Sequence, residues 1–148
     1  MKKESLFLQI IYALFIVLFL YTGTMKLIDH QTFEFDLLNA PYINKVWPIA
    51  YIVVPIIELL TAIMLLFSRT QRIGIRVSLA LMIIFTIYVG GILAIGGRRP
   101  CTCGGVIREM DWNTHLYFNI GFAILAFIGV LLSRKSIYYT YGSSKVAN

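Results

Sequence analysis

The sequence predicts an all-α polytopic membrane protein, a four-transmembrane-helix bundle with both termini cytoplasmic. Three observations carry that expectation. Hydrophobic residues make up 59% of the chain and charged residues 14%, with a mean hydropathy of +0.80, well outside the range of a soluble domain. Dividing the chain at its charges leaves four apolar intervals, Ser5 to Met25, Val46 to Ser68, Val77 to Gly97 and Trp112 to Ser133, each close to the ~20 residues that a helix needs to cross about 30 Å of hydrocarbon. Finally, lysine and arginine are divided unevenly between the two sides of these spans. Lys2, Lys3, Arg69, Arg72, Arg76, Arg134, Lys135 and Lys145 fall on one side, and Lys26, Lys45, Arg98, Arg99 and Arg108 on the other. Cytoplasmic flanks carry the cationic excess. The net charge of +6 is therefore a matter of topology, and nothing points to nucleic acid.

A single membrane domain, residues 1–148, is expected, with helices over about 5–27, 47–68, 73–97 and 112–133. The first helix follows Lys2 and Lys3, as a signal peptide would. Its apolar run exceeds the ~7–15 residues of a secretory core, however, and Tyr21-Thr22-Gly23-Thr24-Met25-Lys26 offers no small-residue cleavage site, so the helix should be retained. The connection from Lys26 to Lys45 contains Phe33, Phe35, Leu37 and Leu38, enough for a short interfacial helix, with Tyr42 and Trp47 as headgroup-level anchors. In the second helix Glu58 lies ten positions after Pro48, hence ~15 Å into the membrane. A carboxyl at that depth should face the bundle interior and is a functional candidate, with a structural tie to Tyr or Thr hydroxyls or to the tail of Lys26 as the alternative. Pro55, one turn earlier, withdraws a backbone donor and can open polar space beside it. Ser68 to Arg76 reads as a tight hairpin, making the second and third helices antiparallel neighbours. The third helix ends in Gly90-Gly91 and Gly96-Gly97, expected at close helix contacts, with flexibility beneath the cysteine loop as the alternative. After the fourth helix, Tyr138, Tyr139 and Tyr141 suggest an aromatic belt, followed by a polar tail.

The chemistry-bearing feature is Cys101-Thr102-Cys103-Gly104-Gly105, which holds the only two cysteines of the chain. A disulfide closed across one intervening residue is strained and hence easily reduced. As a staple it is poor, since the chain-entropy model gives a three-residue loop ~1.6 kcal/mol against ~3 for about fifteen residues. On the topology above the pair faces the oxidising exterior, where disulfides persist. Glycines after the pair let the chain turn back toward the fourth helix, where Trp112, His115 and Asn119 lie on one stripe by their spacings of three and four. His115 can take a proton from a thiol or stabilise a thiolate, and Arg98, Arg99 and Arg108 favour the ionised sulfur. A plainer reading leaves Trp112 as an interface anchor and His115 and Asn119 as interhelical hydrogen-bonders. Two further readings of the cysteine loop stay open: a structural disulfide, and a metal site drawn from Cys101, Cys103, Met110 and His115, for which a second cysteine pair is lacking. With both thiols on one side, no thiol chain crosses the membrane within one subunit. Either a lipid-soluble carrier such as a quinone accepts or supplies the electrons, or the pair exchanges with partner thiols on the same side.

These residues carry a family resemblance. Gly23-Thr24-Met25-Lys26-Leu27 closing the first helix, Glu58 in the second, and Arg99-Pro100-Cys101-Thr102-Cys103-Gly104-Gly105 leading into Trp112, His115 and Asn119 resemble the MauE/DoxX-like membrane proteins over nearly the whole chain. The resemblance implies a redox-associated four-helix protein of a bacterial-type inner membrane. The methylamine-utilisation members are associated with maturation of a disulfide-rich periplasmic protein beside a thioredoxin-like partner, and the DoxX-like ones with sulfur oxidation and quinone reduction. The expected function is thiol-disulfide exchange through Cys101 and Cys103 with a periplasmic thioredoxin-like protein and cysteine-containing clients. His115 would assist, and Glu58, Asn119, Trp112 and Arg99 would bind or handle protons. Quinone is the one cofactor in view, and no metal is expected. The alternatives are a non-catalytic assembly or chaperone subunit with a structural or metal-binding loop, and a quinone-binding subunit of a redox complex.

Overall fold

The computed structural model describes residues 6–40, 43–95 and 111–145. These form α1 (Leu6–Ile28), α2 (His30–Asn39), a 3-10 turn (Ile43–Lys45), α3 (Trp47–Leu66), α4 (Gln71–Ile95) and α5 (Trp112–Lys145), with no strand among the described residues. Four of the helices, α1, α3, α4 and α5, are long and apolar enough to cross a bilayer. The all-helical, four-span expectation holds. One boundary differs: α5 continues beyond 133 to Lys145. The stretch Arg134 to Tyr141 contains neither proline nor glycine, so nothing local stops the helix there. At 34 residues it is roughly 51 Å long.

Around the bundle the order is α1, α3, α4, α5, with the most extensive packing between α4 and α5 and between α1 and α3. A short turn reverses the chain between α3 and α4. Thr70 Oγ1 donates to the carbonyls of Met64 at 2.7 Å and Phe67 at 3.1 Å, and so satisfies acceptors that the end of α3 leaves free. The thinner seam between α1 and α5 is filled by aromatic volume. Phe15 meets Phe122 edge-on at 5.4 Å and 90°, and Phe118 lies 4.6 Å from Phe122.

The burial pattern is that of a protein solvated by lipid. Val17, Ile52, Ile84, Ile87 and Ile124 face outward, whereas Thr22, Lys26, Glu58, Thr61, Ser78, His115 and Asn119 are buried. In water that inversion would expose a continuous apolar surface; in hydrocarbon it leaves the polar groups to be satisfied inside the bundle. Thr22, Thr61, Ser78 and Thr86 do so locally, each donating its hydroxyl to the carbonyl four residues earlier at 2.6–3.0 Å.

The close helix approaches fall at other glycines than expected. A Cβ on Gly91 would meet nothing within 4 Å, and one on Gly90 only Leu116 at 3.8 Å; Gly96 and Gly97 lie outside the described residues. The tight contacts are at Gly23, where a Cβ would come within 3.0 Å of Leu59 Cγ on α3, at Gly129, within 3.0 Å of Ile75 Cγ1 on α4, and at Gly74 beside the α3–α4 turn, within 3.0 Å of Leu65 Cδ2. The reason is position: Gly23 and Gly129 lie on the faces that α3 and α4 pack against, whereas Gly91 points into open space. Gly23→Val therefore overpacks the α1–α3 seam and is expected to cost about 1–3 kcal/mol, read as a lowered unfolding midpoint in micelles. Gly91→Ala should leave that midpoint unchanged or raise it.

Candidate functional site

α1, α3, α4 and α5 each contribute a polar or aromatic group to one end of the bundle, where α1 ends and α5 begins. Lys26 stands two residues from the end of α1 and three beyond Gly23, so both lie on the face that meets α3. Its ammonium donates to both carboxylate oxygens of Glu58, at 2.7 Å to Oε1 and 2.9 Å to Oε2. Lys26 is 5% exposed and Glu58 1%. The same nitrogen lies 5.9 Å from the ring centre of Phe33 on α2 and 5.7 Å from that of Phe85 on α4, within cation–π range of both. Phe33 is held by stacking on Tyr51 at 5.9 Å, with Trp47 edge-on to Tyr51 at 6.5 Å.

The short helix expected between the first two spans is α2. It buries Phe33, Asp36 and Leu37 and leaves Phe35 and Leu38 exposed. Its inner face thus closes over the ion pair. Trp47, at the first position of α3, braces this aromatic stack.

Asp111 sets the start of α5: its carboxylate accepts from the backbone N–H of Asn113 at 3.2 Å, and its carbonyl accepts from that of His115 at 2.9 Å. The next turns point His115, 3% exposed, and Asn119, 4% exposed, into the bundle. A partly enclosed cavity of about 140 Å³ brings these groups together, lined by Lys26, Glu58, Phe85, Tyr88, His115 and Asn119 among mostly apolar side chains. Among the described residues, Asn119 Nδ2 is buried there without a hydrogen-bond partner.

Of the sequence candidates, Glu58, His115 and Asn119 share this cavity. Cys101, Cys103 and Arg99 lie outside the described residues, and Trp112 is placed only by its backbone, at the first position of α5. Among the described residues no three His, Cys, Asp or Glu side chains gather as a metal site. One expectation changes. Lys26, counted with the outer flanking cations, is an interior residue; without it the division of cations is eight to four. Phe33, expected only as an apolar residue of the short interfacial helix, and Phe85, which sequence reasoning left unmarked, flank its charge. The tie from Glu58 to the tail of Lys26, expected from the sequence as an alternative, is the contact observed. No comparable signal marked the two phenylalanines among ten.

The arrangement places an amine, a carboxyl and an imidazole together on the wall of one mostly apolar cavity, a set able to hold and pass protons. A family model described as Methylamine utilisation protein MauE matches residues 4–132, which include every candidate named above. No curated protein and no solved structure matches the chain.

Proposed function

The chain belongs to the MauE family, and on that premise we propose that it is an inner-membrane thiol-disulfide redox protein that exchanges with a periplasmic thioredoxin-like partner through Cys101 and Cys103. The carrying observation is the polarity of the buried polar groups. Segment 96–110, with both cysteines, leaves α4 and enters α5 at the end of the bundle that holds Lys26, Glu58, His115 and Asn119. His115 and Asn119 follow Cys103 by twelve and sixteen residues, which supports a proton-handling cluster serving the sulfurs.

In the exchange, a thiolate of the reduced partner attacks one sulfur of the Cys101–Cys103 disulfide and displaces the other as thiolate. The partner's second thiolate then breaks the mixed disulfide, so the partner leaves oxidised and the pair becomes a dithiol. Two electrons and two protons have moved to this chain. The reverse sequence reduces the partner. His115 acts as the proton acceptor and donor for the leaving sulfur. The family description supports a membrane-associated role in methylamine utilisation, with maturation of an exported cysteine-containing protein as the specific task.

Alkylation of intact cells tests this. A membrane-impermeant maleimide that adds mass is expected to label two thiols per chain after mild dithiol reductant, and none after re-oxidation. Thiols shielded until the membrane is opened would contradict the periplasmic placement. A pair that never changes state would favour an assembly subunit with a structural loop.

A further inference from the structure

We infer that the cavity beside the Lys26–Glu58 pair is a binding site for a membrane-borne apolar molecule, about one six-membered ring in size, that presents a carbonyl oxygen to Asn119. The inference goes beyond the thiol chemistry and stands whether or not the cysteines exchange. Three observations carry it. Size comes first: the cavity is about 140 Å³, close to the about 150 Å³ that admits benzene in an engineered apolar cavity. Access comes second. Ile84 lies on the cavity's edge and is exposed on the outer surface of α4, eleven residues from the end of that helix, which is roughly 16 Å along it and so at hydrocarbon depth. A ligand arriving there comes from the lipid.

The third observation is an unmet donor. A buried amide N–H without a partner is costly, and the few that native proteins keep call for an explanation. The serine and threonine hydroxyls of the bundle answer their own helices; Asn119 Nδ2 does not, and no other group among the described residues meets it. It lies on the cavity wall one turn from His115. Nearby, the Lys26 ammonium directs two of its three N–H groups at Glu58. The site thus offers a free donor in an apolar cup, and its complement is an acceptor oxygen on an apolar body. A benzoquinone head and a lipid acyl ester share that chemistry.

The test uses the full chain in micelles with Cys101→Ser and Cys103→Ser, so that no probe reacts with a thiol and the outcome is independent of exchange. Decyl-1,4-benzoquinone, dioctanoylglycerol and decylbenzene are titrated and bound probe is counted by native mass spectrometry. One carbonyl probe is expected to bind at one per chain, at least about tenfold tighter than decylbenzene, and Asn119→Leu should erase that advantage. Tight binding of the quinone assigns the site to a ring carbonyl; tight binding of the glyceride assigns it to a lipid ester. Asn119→Leu also removes an unmet polar group, so its ligand-free unfolding midpoint should be unchanged or raised, a signature that loss of structure would not give. Asn119→Ala serves if the leucine does not fit. Equal binding of all three probes, or carbonyl binding indifferent to Asn119, overturns the inference.

Discussion

Lys26→Met is expected to destabilise the protein by about 3–5 kcal/mol, the range found when one partner of a buried ion pair is removed. The loss arises less from the missing attraction than from what remains, a Glu58 carboxyl, 1% exposed, stranded without a counter-charge. Glu58→Leu should cost less. Lys26 lies two residues from the end of α1, and its long side chain can turn outward to the headgroup region, whereas Glu58 lies eleven residues into α3 and has no such exit. The double variant Lys26→Met/Glu58→Leu should regain most of the stability lost in Lys26→Met, because two apolar side chains of similar size replace two charges. Unfolding titrations of the four proteins in micelles give the coupling energy directly. If the double variant is as unstable as the sum of the singles, the pair is not acting as a unit and the geometry of the site has been misjudged.

The second large effect concerns the sulfurs. Cys101→Ser and Cys103→Ser should each abolish net exchange with a thioredoxin-fold dithiol, since a single cysteine can start the reaction but cannot complete it. One of the two is expected to accumulate a mixed disulfide, visible as a cross-linked species on non-reducing gels and lost on reduction. The cysteine whose replacement leaves that species in place is the resolving one. His115→Phe should slow the same exchange without preventing the cross-link, by removing the proton acceptor. If both serine variants retain full client maturation in cells, the cysteines are structural and the thiol mechanism fails.

The fold was legible because lipid imposes a simple code. Four apolar intervals of about the right length became four helices with little room for another solution. Glu58 was legible for the same reason: a carboxyl inside a span must turn inward. His115 and Asn119 were legible by helical spacing. What the sequence hid was pairwise. Lys26 near a helix end reads as a flanking cation as readily as an interior one, and only the approach of α3 over Gly23 decides between them. Gly90-Gly91 look like a packing pair but meet almost nothing, because which face of α4 touches α5 depends on the whole bundle and not on the local run. Phe33 and Phe85 could be distinguished from the other aromatics only once the ammonium between them had been placed.

The ion pair also bears on how the chain is made. Lys26 leaves the ribosome thirty-two residues ahead of Glu58, so α1 reaches the insertion machinery first, its cation still able to rest among phosphates. The acid arrives later and has no comparable refuge. Its cheapest route into the bilayer is alongside a helix whose amine already waits, which favours entry of α1 and α3 as a pair.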